Sequence, residues 1–168
     1  MSNKRKLITN KYQTFYEDSE NDYHRITFDS NDGVVVVAST VGGILFIQHD
    51  GRLTGNHSLE LIRGYIENGE TPVKAALREF TEESGLQYAA SNIANIVDYG
   101  NFSIDSALTN QRIHVIGIEL AHTDAIYRSQ VEEKITSVQW IKKNKVSDKL
   151  AGISDGITLA AIAKAHII

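Results

Sequence analysis

The chain has 168 residues, 42% of them hydrophobic and 23% charged, with a formal net charge of −4. That length fits one domain able to bury a core, and the acidic balance argues against a general nucleic-acid surface while leaving room for a small anionic ligand. The absence of cysteine excludes disulfides and thiolate chemistry, and the N-terminal MSNKRKL is followed by polar TNKYQ with no apolar signal core or membrane span, so a cytoplasmic protein is expected.

In chain order, Lys4, Arg5 and Lys6 read as a solvated terminus. Residues 11–17 and 23–29 carry aromatic and β-branched side chains on either side of a turn-like 17–22, which predicts an N-terminal β-hairpin. After the turn Asn31-Asp32-Gly33, the unbroken apolar run 34–38 predicts a strand covered on both faces. Gly42-Gly43 turns the chain into a strand at 44–48, and further strands are expected at 93–99, 113–120 and 135–141. From Asp155 onward, Ile157, Leu159, Ala160, Ile162 and Ala163 predict a closing helix. Strands that precede or flank two helices imply an α/β architecture with a mixed sheet between helices.

The most informative stretch is GYIENGETPVKAALREFTEESGL, residues 64–86. Thr71 is suited to cap a helix, Pro72 to begin it and Gly85 to end it, so a helix is expected over 71–84. On it Glu79, Glu82 and Glu83 stand at i, i+3 and i+4, three carboxylates on one face, while Val73, Ala76, Leu77 and Phe80 form an apolar face. Like charges at that spacing repel, which points either to a solvated acidic face or to a cation held between carboxylates. Hard oxygen donors without Cys or nearby His favour Mg²⁺ or Mn²⁺ over zinc. Arg78 then reads as a clamp on Glu70 or on a metal-binding carboxylate.

Gly64, Glu70, Arg78, Glu79, Glu82, Glu83 and Gly85 together reproduce the signature of the Nudix box. Seven such letters meet by chance at about one start position in 10⁸. The chain is therefore identified as resembling the Nudix hydrolases, which cleave a nucleoside diphosphate linked to another group. Asp32 to Ala38, Leu59-Glu60-Leu61-Ile62-Arg63-Gly64 and Asp155-Gly156-Ile157-Thr158-Leu159 are similar to the ADP-ribose pyrophosphatase branch. The proline that this branch often carries about sixteen residues beyond the box glycine is missing: the single proline is Pro72, and Asn101 sits near the expected place.

The resemblance implies an α/β/α sandwich with an N-terminal β-hairpin extension, and metal ligands at the carbonyl of Arg63 and the carboxylates of Glu79, Glu82 and Glu83. It adds Glu60 as a further carboxylate, the alternative being a polar strand residue facing water. It also implies a distal acidic residue near 132–133 that binds metal or activates water. Successive side chains of an extended chain face opposite ways, so one of Glu132 and Glu133 is expected to act, with Glu133 favoured; Glu79 is the other candidate base. Arg52 can grip phosphate or ribose, or be an exposed loop arginine. Phe28, with Tyr12, Phe15, Tyr16 and Tyr23, can stack on a base or serve as core and dimer contacts. The six histidines show no ligand spacing, and Trp140 reads as core.

The resemblance implies hydrolysis of ADP-ribose or a related nucleoside diphosphate sugar to a nucleoside monophosphate and a sugar phosphate, by a homodimer paired through residues 11–29. Hydrolysis of nucleoside triphosphates or dinucleoside polyphosphates is the alternative within enzymes. A non-catalytic nucleotide-sugar sensor is the alternative outside them, disfavoured because every box glutamate is present.

Overall fold

The structure, a computed structural model, describes residues 4–20, 23–50, 58–87, 90–121, 127–128 and 135–167. Three strands open the chain, β1 (Lys4–Thr9), β2 (Gln13–Glu20) and β3 (Tyr23–Ser30), paired antiparallel in that order. The expected hairpin is present, but its strands are longer than the side chains suggest: Glu17 lies opposite Ile26, and Glu20 opposite Tyr23, where the polar sequence predicts a turn. β1 is an addition to the expectation. Its six residues are all exposed, so it is held by its ladder to β2 and by Arg5, whose Nε donates to Glu17 Oε2 at 2.8 Å, and burial leaves no apolar period to read.

The next elements are β4 (Gly33–Thr40), β5 (Gly43–His49), β6 (Ser58–Glu60), β7 (Ile62–Tyr65) and α1 (Pro72–Ser84). They are followed by β8 (Leu86–Gln87), β9 (Ile93–Ser103), β10 (Arg112–Leu120), β11 (Tyr127–Arg128) and β12 (Ile135–Ile141). A short α2 (Val146–Lys149) and the closing α3 (Gly156–Lys164) complete the described strands and α-helices. A mixed sheet runs β12-β5-β4-β10-β9, with β6 added to β5 and β7 to β4; β4 and β10 are parallel and the other pairs antiparallel. β8 and β11, which no sequence pattern suggested, pair with each other.

The run of valines in β4 explains the layering. Val35 and Val37 join Ile44 and Phe46 on the face covered by Ile153, Ala161 and Ile162. Val34, Val36 and Ala38 join Leu45 and Ile47 on the opposite face, against Ala75, Ala76 and Phe80 of α1. Each side chain of that size contributes about 1.5–3 kcal/mol on full burial, so a strand apolar in both parities is stable only between two helical layers. This is the α/β/α sandwich expected from the sequence.

α1 begins where Thr71 Oγ1 accepts the Lys74 N–H at 3.3 Å and Pro72 takes the first turn. It ends at Gly85, whose φ of 66° is the left-handed conformation a side chain would strain, with its N–H donating to the Thr81 carbonyl at 3.0 Å. The N-terminal sheet reaches the loop before α1. The rings of Tyr12 and Tyr65 stack with centroids 4.7 Å apart, Gln13 Nε2 donates to the Tyr65 hydroxyl, and Lys11 Nζ pairs with Glu67 at 3.1 Å. Tyr65 is the neighbour of Gly64, so the sheet bears directly on the segment that enters the site.

Candidate active site

β7 and α1 meet at Gly64. A β-carbon there would fall 1.9 Å from Glu79 Oε1, so only glycine lets the Glu79 carboxylate lie against the strand. One residue earlier, the Arg63 main-chain N–H donates to Glu83 Oε2 at 3.0 Å. Glu79 and Glu83, one helical turn apart, are both buried and both turned toward this backbone. Two carboxylates and the main chain at 63–64 are thus brought together. Glu82 lies on the outer side of the same turn, its side chain 55% exposed.

Arg78 ties the approach to that turn. Its Nε donates to Glu70 Oε1 at 3.1 Å and its Nη2 to Glu70 Oε2 at 3.0 Å, a bidentate fork. Nη1 donates to Glu79 Oε1 at 2.6 Å and to Glu82 Oε2 at 3.0 Å, and Nη2 also reaches the Tyr65 carbonyl at 2.8 Å. One guanidinium therefore balances three of the acidic side chains. The Arg78 hydrogen bonds hold the Glu70 carboxyl below its ordinary range, against the opposing effect of burial and with help from the Glu67 N–H at 3.0 Å. The same partnership, Glu70 first, raises the Arg78 guanidinium and keeps it charged.

The expected site residues are placed as follows. Glu60 is 1% exposed in β6 and does not face water; its Oε2 accepts from Arg63 Nη2 at 3.1 Å. Phe28, in β3, packs against Phe15 with ring centroids 5.3 Å apart, and its N–H donates to the Leu108 carbonyl at 2.8 Å. Arg52, Glu132 and Glu133 lie outside the described residues. Among the described residues, no three acidic or histidine side chains are spaced around one point as metal ligands, the three glutamates that do gather being gathered by Arg78. Sequence reading missed the second partner of the Arg63 side chain: Nη1 donates to Asp155 Oδ1 at 2.8 Å, across 92 residues of chain. Asp155 announced itself only as a helix start, and its Oδ2 does accept the Thr158 N–H at 2.8 Å.

A divalent cation fits what is present. The donors are all oxygen, and the bare Cα of Gly64 leaves a cradle in which the Glu79 carboxylate sits beside the Arg63 backbone.

A family model described as NUDIX domain matches residues 28–160. ADP-sugar pyrophosphatase of Mus musculus is 35% identical over 71 residues, which are 42% of this chain and 30% of that protein, so the matched part spans less than a third of that relative. Among solved structures, one described as an ADP compounds hydrolase superposes with a TM-score of 0.69 at 14% identity, covering 98% of this chain and 90% of the other. A NUDIX hydrolase from Nitrosomonas europaea gives 0.57 at 20% identity, covering 81% and 88%. These two likenesses concern the fold. The family match covers well over half of the chain and takes in the whole segment that carries Gly64, Arg78 and the glutamates, and the chain belongs to the Nudix family.

Proposed function

We propose that the protein hydrolyses the pyrophosphate bond of ADP-ribose or a related nucleoside diphosphate sugar, using Mg²⁺ or Mn²⁺ and releasing a nucleoside monophosphate and a sugar phosphate. The observation that carries the reading is the convergence of Glu79 and Glu83 on the main chain at Arg63 and Gly64. Nudix hydrolases generally use divalent metal ions. Here the ligands are the Arg63 carbonyl, Glu79, Glu83 and the more exposed Glu82. When bound, the cation supplies charge neutralisation at the pyrophosphate and a more acidic attacking water.

The chain's own groups do the rest. Arg78, with every nitrogen engaged, holds Glu79 and the Glu70 loop in place and does not grip substrate. Glu79 or a distal carboxylate, Glu133 before Glu132, takes the proton of the attacking water. Arg52 contacts phosphate or ribose, and Phe28 offers an aromatic face toward a base. Glu60 acts through Arg63. The sugar-nucleotide substrate is supported by the similarity to an ADP-sugar pyrophosphatase and by the segments 59–64 and 155–159.

The protein is proposed to act in the cytoplasm as a homodimer joined through its N-terminal strands, where Ile8 and Ile26 are 64% and 51% exposed. No helix among the described residues is long and apolar enough to cross a membrane. A substrate screen with Mg²⁺ tests the reading. ADP-ribose or another ADP-sugar should give a higher kcat/KM than any nucleoside triphosphate or dinucleoside polyphosphate. A triphosphate in first place would overturn the substrate assignment.

A further inference from the structure

Arg63 is held at three points by three different parts of the fold. Its main-chain N–H donates to Glu83 Oε2 of α1, its Nη2 to Glu60 of β6 at 3.1 Å, and its Nη1 to Asp155 at 2.8 Å. The fork is largely shielded from water: the side chains of Arg63, Glu60 and Asp155 are 19%, 2% and 13% exposed. Asp155 is in turn fixed at the start of α3 through the Thr158 N–H, and Thr158 Oγ1 accepts the Leu61 N–H at 2.9 Å. A continuous chain of contacts thus leads from the closing helix through Asp155 and Arg63 to Glu83, from one helical layer to the other.

We propose that Asp155 is a positioning residue for the cation site: with Glu60 it clamps the Arg63 side chain, and so fixes the Arg63 main chain that bonds Glu83 and offers its carbonyl. This rests on the reading of Glu79, Glu83 and Arg63 as cation ligands. A helix cap alone does not account for the geometry. Capping uses Oδ2, whereas Oδ1 is spent on a guanidinium from another strand. A surface ion pair contributes little, but this pair is shielded and shares its arginine with a buried glutamate, so removal of either carboxylate leaves the fork half-matched.

The cap and the clamp can be separated by substitution. Asp155→Asn and Asp155→Ser both keep an oxygen for the Thr158 N–H, and neither offers a carboxylate to Arg63. Glu60→Gln weakens the fork from its other prong. Ala163→Gly, at an exposed position of α3, weakens that helix without touching the fork or the Thr158–Leu61 bond and serves as the control for a merely structural effect. Binding of Mn²⁺ alone, followed by its electron paramagnetic resonance signal, is the readout besides turnover, with folding followed by circular dichroism.

Asp155→Asn and Asp155→Ser should stay folded and bind Mn²⁺ about tenfold to a hundredfold more weakly, the range for outer partners of metal ligands. Glu60→Gln should shift in the same direction, and it decides the question should the Asp155 variants fail to fold. Ala163→Gly should lower the melting temperature and leave Mn²⁺ affinity unchanged. In turnover, kcat should fall at limiting metal with the nucleotide KM unchanged. Wild-type Mn²⁺ affinity in the folded clamp variants, or an equal loss in Ala163→Gly, would overturn the proposal while Glu83→Gln still abolishes binding. Mn²⁺ binding absent from wild type, or intact in Glu83→Gln, would instead overturn the cation-site reading beneath it, and the proposal with it.

Discussion

Gly64 and Glu79 are packed so closely that a single added carbon on the glycine would fall 1.9 Å from the glutamate oxygen. Gly64→Ala should therefore expel the Glu79 carboxylate from its place against β7. Overpacking of this kind costs about 1–3 kcal/mol, so the fold should persist with a lower melting temperature while turnover falls by about a hundredfold or more. Circular dichroism and a rate assay on the same preparation check both halves. A folded variant with wild-type turnover would show that Glu79 works from elsewhere.

The Glu70–Arg78 fork predicts a pH dependence of stability. Glu70 has its folded pKa depressed, chiefly by Arg78, so its contribution is fully present above the ordinary carboxylate value of about 4.3 and is lost as pH falls through the lower folded value. Glu70→Gln should lower stability at pH 7 by about 1–3 kcal/mol, and the gap to wild type should shrink as the solution is acidified below that range. Urea midpoints at neutral and acid pH measure it; a gap constant across the titration would contradict the assignment. Arg78→Lys, which keeps charge but loses the planar fork, should resemble Glu70→Gln.

Much of this was legible in residues with local meaning. Thr71, Pro72 and Gly85 gave the bounds of α1 because capping is decided within one turn, and the valines of β4 gave a doubly covered strand because both parities are apolar. What was not legible depends on distant partners. β1 is exposed throughout and exists through pairing, so its charged sequence looked like a free terminus. The burial of Glu60 and the second role of Asp155 follow from one arginine that pairs with Glu60 and with an aspartate 92 positions further on, and no local pattern encodes that second pairing. The short β8–β11 pair is likewise set by tertiary contact.

The distal carboxylates yield a test that the two substitutions settle between them. Glu132→Gln and Glu133→Gln, assayed separately at saturating Mg²⁺, should differ: the Glu133 variant should lose about tenfold to a hundredfold in kcat and the Glu132 variant little. Wild-type kcat in both would assign water activation to the cation with Glu79.

Oligomeric state bears on the N-terminal sheet, whose Ile8 and Ile26 are exposed on β1 and β3. Light scattering should give a dimer mass, and Ile8→Glu with Ile26→Glu should shift it toward monomer with the fold retained. A wild-type monomer at working concentration would contradict the arrangement.

The central claim is that Glu83, bonded to the Arg63 N–H at 3.0 Å, helps hold a catalytic divalent cation for pyrophosphate hydrolysis. The most direct measurement is AMP release from ADP-ribose by wild type and by Glu83→Gln across a Mg²⁺ titration, with excess chelator as the zero point. The account predicts that wild type is silent in chelator and rises with Mg²⁺, while the folded variant turns over slower by orders of magnitude at every concentration. Full activity of wild type in chelator, or of Glu83→Gln in Mg²⁺, would contradict it.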